Sequence, residues 1–476
     1  MKRSKLLLAI LGIVLIGGGF AWGILSVASG KPQVPAQSSC GPSEVTDTYA
    51  GYITEYRTPE KCASPNGITV DAQGRVWFVE QNISKLAMFD PSTQNFTEYQ
   101  LPVTQPITWG MTTTVDGDIW MTDANSSSII RFDAVTSKFT QYAVNSGSFP
   151  LEIITGPDGA LWFSELYGHA IGRIQPDNGL LTQYPLSSNG TGPSGITFGL
   201  NDTLWISLVS FNQSVPNSLA TLDPSNGVFR YYEVPTAIAQ PTGIVVDRSG
   251  NVWFAEHGPS LLGRYDPTTG QLIEVATSRR AGASTSLPYW LVEDSSGDIW
   301  FNEHEANRIA HLDPITLTLT EYDIPSRVPS YGNISNALTI ALGTGGNLWF
   351  TELSTSKIGV VNASMTPDLS VSGPASWNVS FSSALMFNLT SAGKYSGGLS
   401  FEATDSELPS GLLQSFTVSF SSPTYLLNAN ASAFSFNATV TIVGSPLLGD
   451  YYVTFTVRET GVASSKIVVV HLVPPP

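Results

Sequence analysis

The stretch Gly67–Pro102, GITVDAQGRVWFVEQNISKLAMFDPSTQNFTEYQLP, decides the fold. It reads as four short strands: Gly67–Val70, Arg75–Glu80, Lys85–Phe89 and Phe96–Leu101. The turns DAQG and DPSTQN separate the first pair and the last pair. Val, Ile, Phe, Trp and Tyr fill the strands, whereas Asp, Gly, Pro and Asn fill the turns, which is the composition of an antiparallel meander. One such unit cannot bury both of its faces, so it must stack on copies of itself.

The copies are present. The second-strand tryptophan returns as Trp120, Trp162, Trp205, Trp253, Trp300 and Trp349, at spacings of 42 to 49 residues. A four-stranded repeat of this length predicts a β-propeller. The closing strand follows each of the first six tryptophans, as in FTEYQLP and LTEYDIP, and none follows Trp349. Its seventh copy, ITEYRTP, lies upstream at Ile53–Pro59. The expectation is therefore an all-β, seven-bladed β-propeller closed by an N-terminal strand, which removes the open sheet edge.

The rest of the chain divides around this ring. Residues 1–28 read as a transmembrane signal anchor: Lys2, Arg3 and Lys5 precede the uncharged run Leu6–Ala28, long enough to span a bilayer as one helix. Cleavage at the small residues Val27–Gly30 is the alternative. Residues 29–47 are a Ser/Pro/Gly-rich linker, residues 48–365 the propeller, and residues 366–476 an immunoglobulin-like β-sandwich. In that last unit Val453, Phe455 and Val457 alternate with Tyr452, Thr454 and Thr456, which predicts one buried face. The basic end of the anchor places the bulk of the chain outside the cytoplasm. Sequons at Asn82, Asn95, Asn125, Asn189, Asn201, Asn212, Asn333, Asn362, Asn378, Asn388, Asn430 and Asn437 agree with a glycosylated exterior. Cys40 and Cys62 are the only cysteines, and outside the cytoplasm they are expected to form a disulfide beside the ring-closing strand. The net charge of −16 argues against a nucleic-acid partner, because no basic stripe is available to neutralise phosphates.

The blade motif is P-x-G-I-T, D-G-x-[LIV]-W-F-x-E, [NS]-[KR]-I-G-R-[IL] and [IL]-x-E-[FY]-x-[IL]-P. It is carried best by Pro65–Thr69, Leu161–Glu165, Ile171–Ile174, Pro193–Thr197 and Lys357–Gly359. It resembles the virginiamycin B lyase (streptogramin lyase) family. That resemblance covers the ring alone and implies a metal-assisted carbon–oxygen lyase that opens a cyclic depsipeptide by elimination. It also implies catalytic histidines at the x of P-x-G in late blades, with glutamates and Mg2+ nearby. Here the x positions hold Asn66, Trp109, Leu151, Ser194, Thr242, Tyr289 and Leu338, none of them histidine.

Chain direction brings the P-x-G segments and the ends of the second strands to one face of the ring. Those ends are Glu80, Asp123, Glu165, Leu208, Glu256, Glu303 and Glu352. Six acids in seven blades make either a carboxylate ring facing a cation or a set of local hydrogen-bond acceptors, one per blade. The repeat breaks at Glu256-His257 and at Glu303-His304-Glu305, where imidazole and carboxylate together suit a divalent metal such as Mg2+ or an acid–base pair. Trp109, Tyr289 and Trp290 lie at the channel mouth, where they either stack on a ligand or fill the ring; Arg279 and Arg280 lie in a nearby loop and suit an anion. Two functions follow. The leading one is a membrane-anchored protein that binds a small molecule, peptide or glycan on this face. The alternative is a metal-dependent lyase or hydrolase with Glu256, His257, Glu303, His304 and Glu305 as metal ligands, and His257, His304 and Glu303 as the catalytic groups.

Overall fold

The computed structural model describes residues 44–47, 51–187, 190–211, 215–278, 285–362, 369–379, 382–391, 397–405, 416–421, 424–427, 433–442, 449–459 and 461–472. The quoted stretch forms four antiparallel strands, Pro65–Val70, Val76–Glu80, Lys85–Asp90 and Asn95–Gln100, paired in chain order. Six further four-stranded units repeat that pairing. In the last of them the outer strand is Ile53–Arg57, which pairs antiparallel with Lys357–Val361. The first strands touch their neighbours in a closed cycle, with Ile340–Leu342 of the last unit against Pro65–Val70 of the first. The ring is therefore a β-propeller sealed by its own amino-terminal strand.

The tryptophans form the seams between blades. Trp77 packs with Ile119, Met121 and Phe132 of the next sheet, Trp253 with Ile299 and Phe301, and Trp349 with Val76 and Phe78 across the closure. The indole N–H reaches the preceding turn: Trp77 to Asp71 at 2.8 Å, Trp253 to Asp247 at 2.9 Å, Trp300 to Asp294 at 2.9 Å. Nearer the axis, a second-strand hydroxyl latches the second, third and fourth blades to the backbone of the next. Thr122 donates to the Leu151 carbonyl at 2.9 Å and Ser164 to that of Ser194 at 2.7 Å. Where this position is apolar, Val79 and Ala255, the P-x-G residue supplies the donor: Asn66 to the Thr108 carbonyl at 2.9 Å and Thr242 to that of Tyr289 at 3.1 Å. The glycine of P-x-G permits this approach, since a Cβ on Gly195 would lie 2.3 Å from the Thr242 carbonyl oxygen.

The carboxy-terminal strands form two sheets. One runs in the order Leu369–Ser372, Ser382–Ser391, Ala433–Ile442, Phe416–Phe420; the other contains Val462–Leu472, Gly449–Glu459, Gly397–Asp405 and Thr424–Leu427. Phe387, Phe401, Phe436, Val453, Phe455 and Val468 fill the space between them. The second sheet continues into the ring, because Val462–Leu472 pairs with the outer strand Thr318–Asp323 of the sixth blade. This corrects the expectation of one buried face: Thr454 and Thr456 are buried as fully as Val453 and Phe455, on the side toward the ring, and Thr454 donates to the Ala276 carbonyl at 2.6 Å. The end of the linker is also fixed. Val45–Thr46 pairs with Ser326–Arg327, and Glu44 meets both Arg57 and Lys357 at 2.5 Å.

Cys62 is disulfide-bonded, and the sequence's other cysteine, Cys40, lies outside the described residues. The anchor segment 6–28 lies outside them too, as do Asn189, Asn212 and Asn430. Among the described residues no helix is long and apolar enough to cross a membrane. Asn95, Asn125, Asn201, Asn362, Asn378, Asn388 and Asn437 are exposed, whereas Asn82 and Asn333 are half-buried. The Asn82 amide already donates to the Cys62 carbonyl and to Ser64.

Candidate functional site

The first and second strands bring Pro65 opposite Glu80, Pro150 opposite Glu165, Pro241 opposite Glu256 and Pro288 opposite Glu303. The P-x-G segments and the second-strand ends thus share one end of the ring, as the chain direction requires. What they form there differs from a carboxylate ring. Alternation along the strand turns each glutamate into its own blade, toward the fourth strand. Glu80 faces Glu98, Glu256 faces Glu274, Glu303 faces Glu321, and Glu352 faces Glu55 of the ring-closing strand. Burial, reinforced by the facing carboxylate, pushes Glu80 up to about 8 and holds Glu256, Glu303 and Glu352 well above the usual carboxylate range.

A cation accompanies three of these pairs. Lys85 lies 2.6 Å from Glu98, Lys357 3.1 Å from Glu55, and Arg308 3.8 Å from Glu321. In the fifth blade the same position is Leu261. In the third an amide replaces the second carboxyl, and Gln183 donates to Glu165 at 2.6 Å. In the second the shorter Asp123 caps its own loop, accepting from the Ile107 N–H at 2.8 Å. The fourth blade has lost both partners together, with Leu208 and Tyr231 in their places.

The histidines next to these glutamates project the other way. The His257 and His304 rings stack on each other with centroids 5.2 Å apart, and Tyr289 packs edge-on against both. His257 Nδ1 lies 3.1 Å from the Pro288 carbonyl, whereas His304 Nδ1 is buried without a hydrogen-bond partner. Burial lowers His257 to about 4; burial and the neighbouring His257 take His304 well below the ordinary imidazole range. Both rings are neutral at pH 7.

Trp109, Leu151, Tyr289 and Leu338, four of the seven x residues, pack into one buried cluster with Phe149 and Leu166, and Trp290 lies partly buried against it. From this plug an aromatic band runs outward. Trp109 meets Tyr289 at 5.7 Å, Phe149 meets Tyr167 at 5.2 Å, and Tyr167 meets Phe211, which is 39% exposed, at 5.4 Å. Glu152 stands where the motif has glycine. It accepts from the Ile196 N–H at 2.6 Å, and burial raises it to about 8. Sequence reading missed Phe149, Tyr167, Phe211 and Glu152. Glu152 was visible as a break in P-x-G, but the three aromatics sit in unrepeated loops.

The grouping of Glu256, His257, Glu303, His304 and Glu305 around one divalent metal is not assembled. The glutamates face Glu274 and Glu321, the histidines face each other, and Glu305 accepts from the Thr285 hydroxyl. Among the described residues Asp294, Asp298 and His311 are the one trio of such donors within ligating range of one another, and they lie at the opposite end of the sixth blade. Among the described residues at the channel end, these side chains do not gather into a ligand set around one ion. Arg279 and Arg280 lie outside the described residues.

A closed ring of four-stranded meanders, with unrepeated side chains gathered at one end, defines a β-propeller. The virginiamycin B lyase family model matches residues 51–336, more than half of the chain, and the chain belongs to that family. It is similar to a streptogramin B lyase structure, at 28% identity and TM-score 0.57, over 65% of this chain and 97% of that one. It is also similar to virginiamycin B lyase from Staphylococcus aureus, at 28% identity and TM-score 0.56, over 65% and 98%. A catalytically inactive histidine-to-alanine variant of that enzyme, solved with quinupristin, matches equally well. No curated protein matches the chain.

Proposed function

We propose that this chain is a membrane-tethered, extracytoplasmic, seven-bladed member of the family that recognises a ligand on its channel face and does not open one. The observation that carries this reading is the plug: in the late blades, where the family resemblance implies catalytic histidines at the x of P-x-G, Tyr289 and Leu338 stand instead, packed with Trp109 and Leu151. The aromatic band from that plug to Phe211 gives a ligand an apolar floor, suited to a peptide, small molecule or glycan with a flat ring. The apolar run 6–28 supplies the tether, and the exposed sequons agree with a glycosylated exterior. The carboxy-terminal sandwich, read as Ig-like, widens the platform beside the sixth blade.

Quinupristin is a suitable probe because it is bound by the inactive relative. Titrating it into the chain from residue 29 onward, with tryptophan fluorescence as readout, is expected to give saturable binding that Phe211→Ala weakens. Titration without a fluorescence change, or binding untouched by Phe211→Ala, would remove the band from the reading. The lyase remains the second reading, favoured by one feature: His304 presents a neutral, unpartnered Nδ1 beside Tyr289.

A further inference from the structure

We infer that the turn end of the sixth blade is a binding site for a divalent transition metal of the Zn2+ type, built from Asp294, Asp298 and His311. One ligand atom of each lies within 4.8 Å of the other two, and all three residues are half-buried. Donors about 2.0–2.2 Å from a shared ion lie within such a distance of one another. The nitrogen–oxygen donor set suits Zn2+ and its first-row neighbours better than Mg2+ or Ca2+.

Three of the other blades carry an arginine at this corner. At the position of His311, the second, third and fifth blades have Arg131, Arg173 and Arg264, each over its own tryptophan at 5.5 to 5.8 Å. Arg131 and Arg173 neutralise the nearby acid, Asp118 or Asp158, at 2.5 Å. The sixth blade changes two things together. It alone carries an acid at both places, the turn Asp294 and the strand Asp298, and it replaces the arginine with a histidine whose ring lies 4.4 Å from Trp300. His311 Nε2 points at Asp298 Oδ2 at 3.0 Å. Asp294 is aimed by its neighbours: Oδ2 accepts the Trp300 N–H at 2.9 Å, and Oδ1 accepts the N–H groups of Ser296 and Asp298. Such second contacts orient a ligand and leave lone pairs free. Arg248, the nearest basic side chain of the adjacent turn, is held by the Ser295 carbonyl. The corner thus carries two carboxylates and an imidazole where the second and third blades carry a guanidinium paired with an acid, and a metal ion supplies the missing charge.

The test is Zn2+ titration of the metal-stripped, untagged chain by calorimetry, with melting temperature as a second readout. One Zn2+ per chain is expected, with a rise in melting temperature as the folded state is selected. His311→Arg restores the side chain of the second and third blades, so it is expected to fold, to melt no lower than the stripped wild type, and to bind Zn2+ about tenfold or more weakly. Asp298→Asn is expected to weaken binding similarly, and His257→Ala/His304→Ala to leave it unchanged. Zn2+ binding that survives His311→Arg, or that vanishes in the His257/His304 variant, would overturn the assignment.

Discussion

In the first, fifth and sixth blades the two ends handle their acids in opposite ways. At the turn end an aspartate faces donors that are close in sequence: Asp71 accepts from Trp77 and Arg75, and Asp247 from Trp253 and Asn251. At the channel end a glutamate faces another glutamate, from a strand about eighteen residues away or, for Glu352 and Glu55, from the far end of the ring. The turn end is a local device that closes the first hairpin of its blade. The channel end is a charge-balancing device, and its state depends on what the third strand contributes: Lys85, Arg308 or Lys357 in three blades and Leu261 in the fifth.

That contrast can be broken by mutation. The largest effect belongs to the seams. Trp162, fully buried between the third and fourth blades, is expected to cost about 3–5 kcal/mol on replacement by alanine. Denaturant unfolding would measure it, and an unchanged midpoint would reject the seam. Next comes the cation of the sixth blade. Arg308, 2% exposed and set between Glu321 and Asp323, is expected to cost about 3 kcal/mol as Arg308→Met at pH 7. Denaturant unfolding would measure this as well, and an unchanged midpoint would mean that the arginine does not hold the facing carboxylates together.

The pH dependence of the wild type sharpens the same point. Glu80 and Glu152 are raised from 4.5 to about 8 when folded. Between those values the folded chain holds protons that the unfolded chain has released, so these groups lower stability as pH rises. His257, lowered from 6.5 to about 4, acts in the opposite sense and is spent by pH 6.5. Melting temperature is therefore expected to fall from pH 6.5 to pH 8, and Glu80→Gln to flatten the fall. A rise over that interval would contradict the carboxyl pairs. The smallest effect is at the turn end: Asp247→Asn, which weakens the acceptor of the Trp253 N–H, is expected to cost about 1 kcal/mol.

Legibility in the sequence follows the same division. The tryptophan period, the turn acids and the displaced strand Ile53–Arg57 are local or repeated signals, and they were sufficient to draw the ring. The glutamate pairs were not legible, because Glu80 meets Glu98 only after the third strand has passed between them. The His257–His304 stack joins two blades, and nothing in either Glu-His dipeptide says that the rings face each other while the carboxylates turn away. The seam between Thr318–Asp323 and Val462–Leu472 was hidden for a different reason. Thr454 and Thr456 read as a solvent face, and only docking against the ring buries them.

The central claim is that the channel face recognises without opening its ligand. It is tested most directly by incubating the chain with Mg2+ and a cyclic depsipeptide ester and separating intact from ring-opened material by chromatography. The account predicts intact ester at every time point. Ring-opened product formed by the wild type and absent with His257→Ala/His304→Ala would contradict it.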